Sequence, residues 1–289
     1  MIDAHAHLWL EQHGEVDGLP VYALGGGRAM FGNEVRQMLP PAMTDGVNSA
    51  ERFLAHMDFS GVGGAVITQE IIDGCQDEYL RRVRGEYPDR FRVSALYREN
   101  GVPDTEGMDG IKICGSRLKD QDLTRHARVF EEAARRGLFV AIDMADGDKQ
   151  TGALREMAQQ YPSLRIAIGH FGMVTRPGWT EQIRLARLPN VYVESGGITW
   201  LFNDEFYPYP SAVRAILTAR DLAGMEKLMW GSDYPRTMTA ITYQMSWDFI
   251  QKSPLLGDRE KRLFFHDNAH AFYRFGSLPD LPRIRHMAE

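Results

Sequence analysis

Two histidines separated by a single alanine stand at the head of the chain, in MIDAHAHLWL. In an extended strand alternate side chains share a face, so Asp3, His5 and His7 are expected together, with Ile2, Ala4, Ala6 and Leu8 opposite. Imidazoles two residues apart on a strand stand about 6.5–7 Å from one another at the backbone and can converge on an ion about 2.0–2.1 Å from each nitrogen. One H-x-H pair among nine histidines is a weak signal. Its weight depends on what the rest of the chain brings to the same place.

Three other stretches bring similar chemistry. FVAIDM ends in Asp143, RIAIGH in His170 and LMWGSDYP in Asp233, each an apolar run closing on a side chain that binds divalent metals. Such ends meet in space if the strands are parallel members of a barrel, where functional side chains gather at the C-terminal ends. Lys112 in GIKI lies on a further strand and is a candidate contact for a substrate carboxylate. Arg98, Arg117 and Arg236 each follow a strand end and could clamp a carboxylate. Trp200, in the aromatic stretch GGITWLFNDEFYPYP, and Tyr234, beside Asp233, are candidate pocket walls. His266 and His270 form H-x-x-x-H without the glutamate of a zinc-protease helix and are set aside, while His56, His126 and His286 read as ordinary surface or helix histidines.

The elements that must position these residues alternate along the whole chain. Strands are expected at 2–7, 64–68, 91–95, 110–113, 139–142, 165–168, 191–194 and 228–230. Between them lie amphipathic stretches such as HARVFEEAARRG, whose apolar residues recur at helical spacing and whose ends carry Gly or Pro. RENGVPDTEGMD is too short and too rich in Gly and Pro for a crossover helix. Eight strands alternating with helices predict a distorted (β/α)8 TIM barrel, with a long loop from Leu8 to Gly46 after strand one and a C-terminal helix. A doubly wound open sheet is disfavoured, because Gly25–Gly27 are read as following no strand and no G-x-G-x-x-G follows the first one. No linker divides residues 1–289, which are read as one domain.

Composition narrows the partners. A net charge of −6 with both signs mixed offers no basic stripe for nucleic acid. Two cysteines, Cys75 and Cys114, exclude a disulfide framework, and no apolar run approaches the roughly 18 residues of a membrane span. The start of the chain enters the strand pattern without the regions of a secretory leader. The expectation is a cytoplasmic protein acting on a small molecule, with homo-oligomerisation left open.

The pieces DAHAH, GIKI, IGHFG, NVYVESGG and MWGSDYP, with Asn268 in FFHDNAHAFY, resemble the amidohydrolase superfamily of metal-dependent hydrolases. The similar branch holds sugar-acid and muconolactone-type lactonases and aminocarboxymuconate-semialdehyde decarboxylase. The resemblance runs in order over nearly the whole chain, but none of its pieces specifies a substrate. It implies a mononuclear site in which His5, His7 and Asp233 hold or border one divalent ion, Zn2+ or Mn2+, with His170 as a further ligand or acid/base partner. Many members carry a histidine where this chain has Asp143, so Asp143 is a candidate ligand. Some lactonases of the branch lack that histidine and work without metal, which keeps a metal-independent reaction open. The resulting expectation is a hydrolase that opens the lactone of a small polar or sugar-type acid, with Asp233 moving the proton of the attacking water and His170 stabilising the oxyanion or sharing proton transfer. The alternatives are a non-oxidative decarboxylase, an isomerase or hydratase of a sugar acid, and an inactive barrel kept for binding.

Overall fold

The computed structural model describes residues 1–285 and residue 287; His286 lies outside the described residues. Eight parallel strands form the central sheet in sequential order: β1 (Ile2–Ala6), β6 (Gly64–Ile67), β7 (Phe91–Leu96), β8 (Gly110–Cys114), β9 (Phe139–Asp143), β10 (Arg165–Ile168), β11 (Val191–Glu194) and β12 (Leu228–Met229). The chain after β12 runs on beside β1. Trp230 O accepts from Ala4 N at 2.9 Å, Asp233 N donates to His5 O at 2.9 Å, and His7 N donates to Tyr234 O at 2.8 Å. These bonds bring the two ends of the sheet together into a nearly closed (β/α)8 barrel, with strand positions within a residue or two of those expected.

Each strand is buried on both faces, as parallel barrel strands are. Ile2, Ala4, Val66, Phe139, Ala141, Ala167 and Met229 form an inner cluster, joined by Phe272, Tyr273 and Phe275. The outer faces pack under helices. In α3 (Ala127–Arg136) Val129, Phe130 and Ala133 are buried, and Gly137, in the left-handed region at φ 68°, ends the helix. No helix separates β7 from β8, as the Gly- and Pro-rich segment predicted. The C-terminal helix is built from α8 (Asp258–Arg262), a π-helical stretch (Leu263–Asp267) and α9 (Asn268–Phe272).

Two expectations are corrected. The segment after β1 contains a four-stranded antiparallel sheet: β2 (His13–Val16), β3 (Leu19–Gly25), β4 (Arg28–Phe31) and β5 (Glu34–Gln37). Gly25–Gly27 therefore do follow a strand, and Gly26 and Gly27 turn β3 into β4. The second correction concerns β1. Asp3 pairs with Ala65 and Ala6 with Ile67, so three steps on β1 face two on β6 and the strand bulges. Ala4 packs in the inner cluster while Ala6 packs in the outer core with Ala65 and Ile67. The extra residue shifts the alternation, and Asp3 parts from the histidines: its carboxylate accepts from Ser232 N at 2.8 Å, Ser232 Oγ at 2.5 Å, Tyr243 Oη at 2.8 Å and His5 N at 3.1 Å. It holds two backbone N–H groups and two hydroxyls, and no imidazole.

Candidate active site

At the C-terminal mouth of the barrel, β1 supplies His5 and the residue beyond its end supplies His7. His5 Nδ1 donates to Glu194 Oε1 at 2.7 Å, and His7 Nδ1 donates to Thr68 O at 3.2 Å. With both Nδ1 hydrogens committed, the two Nε2 lone pairs face each other at 3.2 Å. Asp233 Oδ1 stands 3.0 Å from His7 Nε2 and 3.9 Å from His5 Nε2. Burial, with Arg236 nearby, lowers His7 to about 4, so its ring is neutral at pH 7. Burial opposes charge on Asp233 as well, but the neighbouring His7 ring and the charges of His170 and Arg236 hold it well below the usual carboxylate range. Two imidazole lone pairs and a carboxylate oxygen turned to one point form a donor set for a cation. Ligands about 2.0–2.1 Å from a tetrahedral zinc stand roughly 3.3 Å apart, close to these separations. The residues present therefore fit a divalent metal.

Asp233 is fixed from its other side, where Trp200 Nε1 donates to Oδ2 at 2.8 Å. Its backbone lies in the left-handed region at φ 58°, and so does that of His170 at φ 56°. Such conformations cost on the order of 1–3 kcal/mol and concentrate at functional sites. His170 Nδ1 donates to Gly196 O at 2.7 Å, leaving Nε2 3.6 Å from Asp143 Oδ2. Burial works against charge on this ring, but Asp143, Asp233 and Glu194 outweigh it and push His170 up to about 10. His170 is thus a cationic donor on the cavity wall. Glu194 ties the site together, accepting from His5, from His170 N at 3.2 Å and from Gly196 N at 2.5 Å.

The glycines of the sequence motifs make room for these groups. A Cβ on Gly169 would lie 2.1 Å from Asp143 Oδ1, and one on Gly231 2.6 Å from Glu194 Oε2 and 2.8 Å from His5 Cβ.

Asp143 takes a different place from the three donors. Lys112 Nζ, wholly buried, lies 2.5 Å from Asp143 Oδ2 and 3.6 Å from Glu70 Oε1. Asp143, His170 and His5 form a second possible cation-binding group, but Asp143 is already paired with Lys112. Lys112 lies beneath the cavity, and its cation is spent on two carboxylates. Burial pushes Glu70 up to about 7, with Lys112 pulling the other way.

Above these groups lies a cavity of about 260 Å³, whose walls include His7, Asp233, His170, Trp200, Arg117 and Arg236. Arg236 Nη2 binds both oxygens of Asp73 at 2.7 and 2.6 Å, Gln12 Nε2 holds Asp73 at 2.9 Å, and Arg236 Nη1 is buried without a partner among the described residues. One candidate wall, Tyr234, and one candidate carboxylate clamp, Arg98, stand elsewhere. Tyr234 is turned outward and stacks on Phe53 with ring centroids 4.1 Å apart, and Arg98 is exposed outside this cavity. His126 is buried, with its Nδ1 2.8 Å from Tyr97 Oη, and is not a surface residue. Glu194, Glu70 and Asp73 carried no assigned role in the sequence. For Glu194 the same strand-end rule that found Asp143 would have served; Asp73 and Glu70 sit in the loop after β6, where no periodic signal marks them.

The family model described as Amidohydrolase matches residues 2–275. An L-fucono-1,5-lactonase from Burkholderia ambifaria is 28% identical over 149 residues, 47% of this chain and 50% of that protein. The chain's matches span about half the length of its curated relatives. Two solved structures share the fold: a probable 2-pyrone-4,6-dicarboxylic acid hydrolase from Acinetobacter baumannii with citric acid bound (TM-score 0.71, 19% identity, covering 95% of this chain and 99% of that one) and an amidohydrolase from Burkholderia multivorans with bound zinc (TM-score 0.68, 14% identity, covering 95% and 99%). Among the described residues, no helix is long and apolar enough to cross a membrane.

Proposed function

This chain belongs to the amidohydrolase family and is an enzyme of the hydrolase type, and from that premise we propose that it opens the lactone of a small polar or sugar-type acid. The observation that carries the reading is the convergence of His5 Nε2, His7 Nε2 and Asp233 Oδ1 at a small cavity that His7 and Asp233 line. The lactonase relative and the pyrone hydrolase of like fold support the choice of a cyclic ester. A Zn2+ or Mn2+ ion held by those three atoms would supply Lewis acidity for the water and the carbonyl.

The chain's own groups account for the rest. Water adds to the lactone carbonyl carbon, the ring C–O bond breaks, and the ring oxygen leaves as a hydroxyl, giving a hydroxy acid. Asp233, ionised and locked by Trp200, accepts the proton of the attacking water and returns it to the ring oxygen. His170, kept cationic by Asp143, faces the charge that develops on the carbonyl oxygen. Arg236, rigidly held by Asp73, offers its unpaired Nη1 to an acceptor oxygen of the substrate. A panel of five- and six-membered lactones, followed by acid release, tests the reading. Saturable ring opening that falls at least about 100-fold in Asp233→Asn is expected. No opening of any lactone, together with carbon dioxide release from an unsaturated carboxylic acid, would replace it with a decarboxylase.

A further inference from the structure

The cavity over the donor set, about 260 Å³, is enough for one reacting ring with short substituents. A second cavity of about 830 Å³ adjoins it, and Ser116 and Arg117 line both. Its walls come from four segments: residues 15–18 at the β2–β3 turn, Ile71 after β6, residues 97–100 after β7, and residues 116–119 with 121 after β8. The last two leave the C-terminal ends of barrel strands, the face on which barrel enzymes bind their substrates. The hairpin wall is seated firmly: a Cβ on Gly14 would lie 2.2 Å from the backbone carbon of Ile72.

The lining states what it can hold. Three cations, Arg98, Arg117 and Lys119, face three acids, Glu15, Asp17 and Glu99. An anion would gain from the first set and lose to the second, and an apolar group would strip water from the charges that still face solvent, Glu99 already accepting from Lys119 N and Asp120 N and Arg117 lying 4.0 Å from Glu70. A neutral group rich in hydroxyls satisfies both signs, donating to the carboxylates and accepting from the guanidinium and ammonium groups. Arg98 and Lys119 have no ion-pair partner, and the Asn100 side chain has no hydrogen-bond partner, among the described residues.

We propose that this outer cleft binds a neutral, polyhydroxylated extension of the lactone, so that the enzyme prefers a lactone carrying a second sugar unit to the single ring. The inference rests on the lactone-hydrolase reading for its substrate and on the cleft for its preference. The test compares kcat/KM for the 1,5-lactone of a single-sugar aldonic acid with that of a disaccharide aldonic acid. The wild type is expected to favour the extended lactone about tenfold or more, through KM, and the Arg98→Ala/Asn100→Ala variant is expected to bring the ratio to about one. Circular dichroism checks that the variant is folded. A ratio near one in the wild type, a preference that survives in the variant, or a stronger preference for an anionic extension overturns the inference. Saturation-transfer NMR with a disaccharide alditol, which has no lactone to open, separates the two readings. If no lactone is opened, alditol binding that is lost in the variant still supports the cleft, and absence of binding overturns it.

Discussion

Around His5, the largest constraint on the site is space. Gly169 and Gly231 stand where any side chain would press on Asp143, Glu194 and His5. Gly231→Ala is expected to cost about 1–3 kcal/mol, as overpacking of a close-packed interior does, and to lower metal content by displacing His5; urea denaturation and elemental analysis check both. Charge is the second constraint. The folded-state pKa of His170 is raised above its ordinary value of 6.5 to about 10. The stability contributed by its pairing with Asp143 is therefore fully present below about pH 6.5 and is lost as the pH rises through about 10. The melting-temperature gap between wild type and Asp143→Asn should shrink across that interval, and the His170 ring should titrate nearer 6.5 in the variant by NMR. His5, His7, His170 and Asp233 were legible in the sequence because strand ends of one parallel barrel must meet. The role of Lys112 was not, since nothing in GIKI shows that its cation is consumed by Asp143 and Glu70.

At the level of elements, the bulge in β1 decides which residues reach the mouth. It turns Asp3 toward Ser232 and Tyr243, where one carboxylate anchors the chain after β12 to β1. Asp3→Ala leaves Ser232 N and Tyr243 Oη without their acceptor, at roughly 1–3 kcal/mol for each group that stays buried and unsatisfied. The expected result is a loss of several kcal/mol in urea denaturation, with Asp3→Asn, which keeps one acceptor oxygen, falling between the variant and the wild type. Strict alternation could not foresee this, because a single inserted residue reverses every face after it. The β2–β5 sheet escaped for another reason. Its strands are short and largely exposed, so they carry little apolar periodicity. The readable signal lay in the turns. Asp17-Gly18 joins β2 to β3 with both residues at positive φ, 51° and 76°, as a two-residue type I′ hairpin requires, and Gly26-Gly27 and Gly32-Asn33 occupy the corresponding places in the next two hairpins.

For the whole molecule, the donor set joins the beginning of the chain to its far end. His5 lies on the first barrel strand, His7 just beyond its end, and Asp233 follows the last strand, so a cation held between them would also clip the barrel where its sheet closes. A ligand that binds only the folded state stabilises it in proportion to the logarithm of its excess over Kd, about 2.7 kcal/mol at a hundredfold excess. For a chain of this size that corresponds to a rise of about 5–10 °C in Tm. Stripping metal with a chelator should lower Tm by that amount, and zinc or manganese should restore it, with about one ion per chain by elemental analysis. His7→Ala should abolish the response, because it removes a donor. Asp143→Ala should keep the response while lowering stability overall, because its carboxylate is committed to Lys112. If instead Asp143→Ala loses the ion, then His5, Asp143 and His170 are the ligands, and Lys112 must release its partner when metal enters. A protein that carries no metal after growth with ample supply, and whose Tm ignores chelator and zinc alike, would leave water activation to Asp233 and the histidines acting as bases.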